Sequence, residues 1–415
     1  MSHRNCSPFL VLAVLSTLAS LPALGQSYSL HLDTVHQFWD GRYDWAQVCA
    51  GAIPGAGKDG APAVLITTQK EDNKSDDYYA GVNTLRSEDL GKSWTGPEPQ
   101  PTLTPHTNPD GTLRGLCDFV SGWHAPSKRF LITGHTVLYA NGKLAPVPYT
   151  RTTAYATYDP ATKTWAAWKE LVMPDADKFF NAGSGMGQWV VDPDGTILLP
   201  VYYKAKSDDK REAYSATIVR CKFDGETLTY LTHGDELHLD VPRGYCEPSL
   251  TFFQGTYYLT LRNDIRGYVT TSTDGLHFGP IQPWTFDDGQ ELGSYNTQQH
   301  WATHSDALYL VYTRRGANND HVVRNRAPLF IAQVDPKRLV VLRETERVAV
   351  PDRGASLGNF AVANISPDET WITVGECMYS PECQKRGSDG SVFAARLHWS
   401  TPNKMLDLAH GPVPR

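Results

Sequence analysis

Short runs in which apolar and polar residues alternate recur along the chain, and pairs of runs are joined by turns rich in Asp, Pro and Gly. Clear examples span residues 189–202, 250–261 and 361–374. Alternation with a period of two is typical of strands with one buried face, and the intervening residues suit tight hairpin turns. The pattern therefore predicts successive β-hairpins between residues 63 and 397, with no amphipathic helix.

The hairpins follow one another closely enough to build a repeat architecture. A propeller blade of four strands takes roughly 40–50 residues, which is close to the spacing of the hairpins. We therefore predict an all-β fold, a single β-propeller over residues 26–415 with about seven four-stranded blades, and six blades as the alternative. Abundant Gly, Pro, Trp and Tyr, with only five Met, agree with many short strands and tight turns.

Residues 1–25 are predicted to be a signal peptide that is not part of the fold. His3 and Arg4 give a basic start, an apolar run covers residues 9–21, and small residues precede Gln26. The run is shorter than the roughly 20 apolar residues of a spanning helix, and no later stretch approaches that length. We expect a secreted or periplasmic protein that has no membrane partner.

Charge and cysteine content narrow the classes of function. The formal net charge of −7 argues against a general attraction to nucleic acid. Six cysteines follow the signal peptide at wide spacings without a zinc pattern, and Cys377 and Cys383 are near enough in sequence to close a small loop. No cofactor motif and no metal site is identifiable, although a structural calcium ion in a central channel is compatible with the fold.

The most specific local signal is the turn motif S-x-D-x-G-x-S-W at residues 87–94. The Asp89 carboxylate can accept hydrogen bonds from N–H groups across the turn, Gly91 can take a left-handed conformation, and Trp94 can pack between sheets. A version that is one residue shorter occupies residues 272–278. The motif predicts a folding device at the periphery of a blade, without a role in catalysis.

With these Asp boxes the chain resembles the sialidase-like, BNR-repeat superfamily over nearly all of its mature length. The likeness is greatest to secreted bacterial sialidase-like proteins, and residues 45–54, 247–250, 258–264 and 295–301 also carry it. It implies a β-propeller that acts on carbohydrate, with a glycan or oligosaccharide as its partner. A weaker likeness connects the chain with propellers that cleave rhamnose–glucuronate linkages and with ulvan-lyase-type propellers.

The resemblance also implies what a sialidase site requires, and one part is missing here. Such a site uses three arginines for the sialate carboxylate, a Tyr/Glu nucleophile pair and an Asp acid. The first arginine belongs to a Phe/Tyr-Arg-Ile-Pro motif, but residues 50–54 have alanine in its place and Arg42 is out of register. Because one arm of the carboxylate clamp is absent, an exo-sialidase would need a rearranged clamp.

Polar side chains are dense between residues 295 and 326. Amides, imidazoles and guanidinium groups at this density suit hydroxyl-rich or carboxylate-bearing sugars, although a buried network joining blades would use the same residue types. Gln47 lies near the place where the rhamnose-releasing relatives carry an important histidine. The predicted substrate-binding residues are Gln47, Arg262, Asn263, Gln299, His304, Arg314, Arg315 and Arg324.

Two reaction types are compatible with the candidate catalytic residues. Elimination needs a group that neutralises a uronate carboxylate, a base and an acid, and His135, Tyr203 and Arg220 offer these in an order that resembles ulvan-type lyases. Hydrolysis needs two carboxyl groups roughly 5–10 Å apart or a substitute nucleophile. Glu247, which can orient Arg262 or act as an acid, and His300 complete the predicted catalytic set.

Three functions stay open on the sequence. The first is a secreted glycoside hydrolase or polysaccharide lyase that cleaves a terminal linkage in an acidic, uronate- or deoxysugar-containing glycan. The second is an exo-sialidase with a rearranged arginine clamp, and the third is a non-catalytic glycan-binding propeller. The missing clamp arginine argues against the exo-sialidase. The polar segment supports both the hydrolase or lyase and the non-catalytic glycan-binding propeller.

Overall fold

The structure is a computed structural model that describes residues 27–74, 78–146, 149–208, 213–404, 406–407 and 411–412. The predicted signal peptide, residues 1–25, lies outside the described residues. Within them the chain is almost entirely strand, turn and loop, and the single α-helix, α1 (Glu382–Lys385), has four residues. The prediction of an all-β fold is confirmed.

Thirty-one strands follow one another along the described chain. They are β1 (Tyr28–Gln37), β2 (Tyr43–Ile53), β3 (Ala63–Asp72), β4 (Tyr79–Ser87), β5 (Thr95–Pro99), β6 (His106–Thr107), β7 (Leu113–His124), β8 (Arg129–Ala140), β9 (Lys143–Leu144), β10 (Thr153–Asp159), β11 (Thr164–Trp165), β12 (Lys169–Glu170), β13 (Asn181–Gly183), β14 (Val190–Val191), β15 (Ile197–Lys204), β16 (Ser215–Phe223), β17 (Leu228–His233), β18 (Cys246–Phe253), β19 (Thr256–Arg262), β20 (Tyr268–Ser272), β21 (Gln282–Pro283), β22 (His300–Thr303), β23 (Leu308–Tyr312), β24 (Leu329–Asp335), β25 (Val340–Val341), β26 (Arg347–Val350), β27 (Ala361–Ser366), β28 (Glu369–Gly375), β29 (Ser391–Trp399), β30 (Leu406–Asp407) and β31 (Gly411–Pro412). Short 3-10 helices occur at Lys58–Gly60, Pro101–Leu103, Ala125–Ser127, Lys206–Asp208, Val323–Asn325 and Arg343–Thr345.

These strands form six sheets of four or more strands, and β30 pairs with β31 alone. The strand orders are β2-β3-β4-β5, β11-β10-β8-β7-β6 with β9 and β12 attached, β13-β15-β16-β17 with β14 attached, β18-β19-β20-β21, β22-β23-β24-β25 with β26 attached, and β1-β29-β28-β27. The prediction of about seven four-stranded blades is wrong. The second sheet alone takes up seven strands, and its β7 and β8 have 12 residues each, so each sheet consumes more chain than the hairpin spacing suggested.

The sheets are arranged as a closed ring. Strand β2 contacts β7 of the second sheet and β27 of the last, and β18 contacts β15 on one side and β22 on the other. The ring is closed by β1, which pairs antiparallel with β29 from Tyr28 opposite Trp399 to Gln37 opposite Ser391. The first described strand therefore completes the sheet that contains the last long one, and the propeller arrangement is confirmed.

The core consists of apolar side chains packed between the faces of neighbouring sheets. Between the last two sheets, Ile372 and Phe393 belong to one cluster with Val311 and Ile331, and all four are at most 3% exposed. A fully buried side chain of this size contributes roughly 1.5–3 kcal/mol. Because both faces of a sheet are covered, inner strands such as β3 are buried along nearly their whole length.

The predicted hairpins and Asp-box turns form as expected. Residues 250–261 and 361–374 are the hairpins β18–β19 and β27–β28. In the first Asp box the Asp89 carboxylate accepts the N–H of Ser93 at 2.9 Å, Gly91 has a φ of 79°, and the Trp94 ring lies 6.2 Å from that of Trp371. These turns lie at the outer ends of strands, consistent with a folding role.

The six cysteines of the described chain are all buried free thiols. The loop closure that the spacing of Cys377 and Cys383 allows is therefore not formed. None of the helices that the structure describes has the length and apolar character needed to span a membrane.

Candidate active site

A cavity of about 820 Å³ lies at the centre of the ring, and all six large sheets or the loops that follow their strands contribute to its lining. Cations outnumber carboxylates around it. Seven lining residues are basic, namely Lys74, Arg151, Lys204, Arg243, Arg262, Arg324 and Arg326. Five are acidic, namely Glu71, Asp72, Asp118, Glu247 and Asp264.

Three sheets begin with a strand that contains a β-bulge next to this cavity. The pairing register shifts at Gln47 in β2, at Asp118 in β7 and at Glu247 in β18. The three residues have φ values of 54°, 52° and 43°, a left-handed conformation that is strained for any residue except glycine. Bulges re-aim side chains next to active sites, and here they place polar groups in the first, second and fourth sheets of the ring.

At one side of the cavity a histidine and an aspartate form a buried pair. The His135 Nε2 atom lies 2.9 Å from Asp118 Oδ2, and the Gln47 amide donates to Asp118 Oδ1 at 2.6 Å. Burial opposes ionisation of Asp118, but the hydrogen bond and charge of His135 outweigh it and place the pKa of Asp118 below its ordinary value. Because His135 Nδ1 lies 3.1 Å from the carbonyl oxygen of Thr136, both ring nitrogens face acceptors.

Two neighbouring strands of another sheet, β18 and β19, supply a buried ion pair. An Arg262 Nη1 donates to Glu247 Oε1, and Nη2 donates to the Asn296 side chain at 3.0 Å. Burial alone would lower the pKa of Arg262, yet Glu247 raises it, so the guanidinium stays charged. The second carboxylate oxygen of Glu247 is buried with no hydrogen-bond partner among the described residues.

Arg326 is the least compensated cation of this side. It is 5% exposed and donates through Nε at 3.1 Å, and through Nη2, to the backbone carbonyl of Asn296. No carboxylate of the described chain forms an ion pair with it. Burial and the nearby charge of Arg262 lower the pKa of Arg326, which marks its environment as one that would be stabilised by an anion.

A tyrosine and a glutamate meet at the cavity wall. The Tyr379 hydroxyl donates to the two carboxylate oxygens of Glu71 at 3.1 and 3.3 Å. Glu71 is 2% exposed, whereas Tyr379 is 37% exposed and lines the cavity. A phenol held against a buried carboxylate has a base for its proton within reach, which is the requirement for a tyrosine nucleophile.

The predicted elimination trio is not brought together. The Tyr203 ring packs on Phe179 with centroids 4.8 Å apart, in the core between two sheets, while its neighbour Tyr202 lines the cavity. Arg220 donates to Asp192 and Thr196 at the turn between β14 and β15, away from the cavity. Of the three residues only His135 lies at the cavity, and both of its ring nitrogens are engaged.

Three predicted residues of the polar segment join sheets together rather than line the cavity. His300 is fully buried, its Nδ1 bonds the Ser249 hydroxyl at 2.8 Å, and burial lowers its pKa to about 3, so it is neutral. Gln299 accepts from the Thr260 hydroxyl and donates to the Thr297 carbonyl. His304 bonds the Thr401 carbonyl and lies 4.7 Å from the Trp399 ring.

Some of the remaining predicted residues stabilise the fold, and others line the cavity. Arg314 forms a two-pronged ion pair with Glu346, and Arg315 donates to the Ile265 carbonyl. Asn263 holds the loop before β18 by donating to the carbonyls of Pro242 and Gly244. Glu247, Arg262 and Arg324 do line the cavity, and Gln47 lies directly behind Asp118.

Among the cavity residues that the predicted site lacks are Glu71, Arg151, Tyr202, Arg326 and Tyr379. The sequence offers only weak signals for them. Tyr202 is adjacent to the predicted Tyr203, and Arg326 ends the polar segment. Glu71 near the end of β3 and Tyr379 beyond β28 come together only because the ring closes between the first and the last sheet.

Two groups of side chains have the spacing of metal ligands. In each of them, Cys117 with Asp118 and His135, and Asp44 with Glu71 and Cys377, the ligand atoms lie within 4.8 Å of one another. Calcium takes oxygen ligands, and each group contains a thiol, so neither fits the structural calcium ion that the sequence allowed. In the second group burial raises the pKa of Cys377 well above its ordinary value and that of Asp44 to about 6.

Comparison with solved structures identifies the fold. The chain superposes on Trypanosoma rangeli sialidase with a TM-score of 0.55 and 12% identity, over 90% of this chain and 60% of that one. The Hadza microbial sialidase Hz136 gives 0.58 and 13% over 85% and 66%, and a variant of NanB sialidase from Streptococcus pneumoniae gives 0.56 and 12% over 88% and 70%. The chain therefore has the sialidase-type β-propeller fold. No protein-family model and no curated protein matches the sequence.

Proposed function

We propose that the protein is a glycosidase-type enzyme, exported from the cytoplasm, that cleaves a terminal linkage in an acidic glycan. The observation that carries the proposal is the central cavity, where seven basic side chains face five carboxylates although the whole chain has a net charge of −7. Such a local excess of positive charge attracts and orients anionic sugars. The Trypanosoma rangeli sialidase, which shares the fold, is described in complex with sialic acid, itself a carboxylate-bearing sugar.

In this proposal the substrate carboxylate lies against Arg326, a buried guanidinium that forms no ion pair with a carboxylate of the described residues. Arg262 is held by Glu247 and Asn296 and contributes charge from a fixed position. Tyr379 attacks the anomeric carbon, Glu71 takes the phenol proton, and the glycosidic C–O bond breaks as its oxygen takes a proton from water. The hydroxide left by that water then attacks the anomeric carbon of the glycosyl–tyrosine ether, the bond to the phenol oxygen breaks, and the departing phenolate takes back its proton from Glu71.

Elimination is the second candidate, and Tyr202 is the residue that would favour it. Its hydroxyl accepts from Arg151 at 2.8 Å, and its ring lies 6.2 Å from that of His135. A base must be deprotonated first, however, and burial raises the pKa of Tyr202 well above its ordinary value. Hydrolysis through Tyr379 therefore has the better support.

The test is incubation of the purified protein with acidic plant, algal and animal glycans. We expect released acidic sugar from wild type and a loss of turnover of about 100-fold or more in Tyr379→Phe and Glu71→Gln. Tyr230→Phe, which removes a peripheral hydroxyl bonded to His233, is the matched control and should keep wild-type activity. Free sialate would identify an exo-sialidase with a rearranged clamp. Absorbance of unsaturated uronates would select elimination, and binding without turnover on every glycan would contradict an enzyme.

A further inference from the structure

A second uncompensated guanidinium lines the cavity at Arg151. Its Nη1 donates to the Tyr202 hydroxyl, and its guanidinium carbon lies 5.5 Å from the Tyr202 ring centroid and 5.8 Å from that of Tyr214. Its Nε atom is buried and has no hydrogen-bond partner among the described residues. Against the opposing effect of burial, the phenols of Tyr202, Tyr214 and Tyr149, the last of which also bonds the guanidinium, raise the pKa of Arg151 well above its ordinary value and hold the charge in place without supplying a carboxylate.

The carboxylates near Arg151 bind other side chains. Asp118 feels the charge of Arg151 but is bound by His135 and Gln47. Asp264 lies toward Arg243 and Arg262 on the next sheet. Within the described chain no carboxylate forms an ion pair with Arg151, whereas Arg262 has Glu247. This difference between the two arginines indicates that the anion that pairs with Arg151 is supplied by a ligand.

Arg151 and Arg326 lie on opposite sides of the cavity. Arg151 bridges to Asn181, so it stands between the second and the third sheet of the ring. Arg326 binds the Asn296 carbonyl and lies against Gly358, so it stands between the fifth and the sixth. In a ring of six sheets these two places are half a turn apart. The excess of two basic over acidic lining residues equals the charge of two anionic groups.

We propose that the cavity binds a glycan segment that carries two anionic groups, one at Arg326 and the other at Arg151 between Tyr202 and Tyr214. This inference rests on the proposed function, which gives an acidic glycan as the ligand. It adds that the ligand carries two anionic groups and where each one binds. The second group is a carboxylate or a sulfate on the neighbouring sugar, since both are planar or trigonal arrays of oxygens that a guanidinium binds through paired N–H donors. Arg151 is thus a specificity residue rather than a catalytic one.

The experiment is calorimetric binding of two matched disaccharides, a uronate–hexosamine with and without one sulfate, to four proteins. Wild type should bind the sulfated form at least tenfold more tightly. Arg151→Met should abolish that difference and keep the affinity for the unsulfated form, whereas Arg326→Met should weaken both. Arg129→Met, which removes a peripheral cation paired with Asp159, should behave as wild type.

Equal affinity of wild type within this pair of disaccharides and also within the pair of digalacturonate and its mono-methyl ester, or equal losses for both members of a pair in Arg151→Met, would overturn the inference. A digalacturonate and its mono-methyl ester, which differ by one carboxylate, distinguish a carboxylate site from a sulfate site. Arg151→Lys keeps the charge without the paired donors and should retain part of the difference, which controls for misfolding of the Met variant. Because the readout is binding, a protein that discriminates the ligands but turns none over would contradict only the proposed enzyme.

Discussion

At the scale of single residues, the site depends on side chains held in a costly backbone conformation. Gln47, Asp118 and Glu247 have positive φ values and occupy the bulges of three inner strands. Each such residue costs roughly 1–3 kcal/mol and persists only where the surroundings fix it. The hydrogen bonds between Gln47 and Asp118, and the ion pair between Glu247 and Arg262, are the interactions that fix them here.

The Asp box at residues 272–278 gives a residue-scale prediction about stability. Asp274 accepts the N–H groups of Leu276 and His277 at 2.8 Å and contacts the His277 ring. Its desolvation is outweighed by these hydrogen bonds, so the pKa of Asp274 lies below its ordinary value, and Asp274 raises the pKa of His277. Because the Asp274 side chain is half-exposed, solvent screens its interactions. Asp274→Asn should therefore lower the unfolding free energy by only about 1 kcal/mol.

The pH dependence follows from the direction of the two shifts. The contribution of Asp274 is present above its ordinary pKa of 3.8 and is lost as the pH falls through the lower folded value. The contribution of His277 is present below its ordinary pKa of 6.5 and is lost as the pH rises through the higher folded value. Thermal melts should therefore show the largest difference between wild type and Asp274→Asn near pH 5. A difference that does not change with pH would contradict the assignment, and Glu98→Gln, at an exposed position, is the control.

At the scale of elements, sequence pattern located strands but not the phase in which their side chains point. The hairpin predicted at residues 189–202 forms as β14 and β15, but Tyr202 faces the cavity while Tyr203 faces the core. A shift of one residue moves a side chain to the opposite face of a sheet. Because a strand buried on both faces shows no polar alternation that would reveal the phase, its sequence does not distinguish Tyr202 from Tyr203 as the residue at the cavity.

Closure of the ring by β1 gives a prediction at the same scale. The Tyr28 ring is 6% exposed and meets the rings of Tyr309 and Trp399 edge-on, each at 5.6 Å, so it ties β1 to two sheets. Tyr28→Ala should lower the unfolding free energy by about 3 kcal/mol, as truncation of a buried aromatic ring does. Leu231→Ala, at a position 48% exposed, should change it by less than about 0.5 kcal/mol in the same chemical denaturation. Equal effects of the two substitutions would show that β1 does not close the ring.

At the scale of the whole molecule, local signals predict the fold but only part of the site: of the predicted residues, His135, Glu247, Arg262 and Arg324 line the cavity. Asp boxes and hairpins are encoded by consecutive residues, so residues 87–94 and 272–278 were sufficient to predict a propeller. The site is encoded by residues far apart, such as Glu71 and Tyr379, whose contact exists only because the ring closes. The polar segment at residues 295–326 divides for a related reason: Arg324 and Arg326 line the cavity, whereas Gln299 and His300 belong to buried networks between sheets, which use the same amides and imidazoles as sugar sites.

The net charge of the whole molecule and the local charge of the cavity have opposite effects on the binding of an acidic glycan. The net charge of −7 repels an acidic glycan at long range, whereas the basic excess of the cavity attracts it at short range. Ionic strength separates the two because the Debye length is about 30 Å at 0.01 M salt and about 10 Å at 0.1 M. At low salt the repulsion of the whole surface reaches the ligand, and at moderate salt only the cavity does.

Association of the dianionic disaccharide should therefore be fastest at intermediate salt, near 0.1 M, and slower on either side, by roughly threefold at 0.01 M and again at 1 M, where the Debye length of about 3 Å screens the cavity as well. Stopped-flow association rates measured across this range test the expectation. A neutral disaccharide is the control and should show no maximum, and Arg151→Met should lower the maximum without moving it. A rate that only rises with salt would mean that the charge of the whole chain governs encounter. One that only falls would mean that the attraction of the cavity extends beyond its walls.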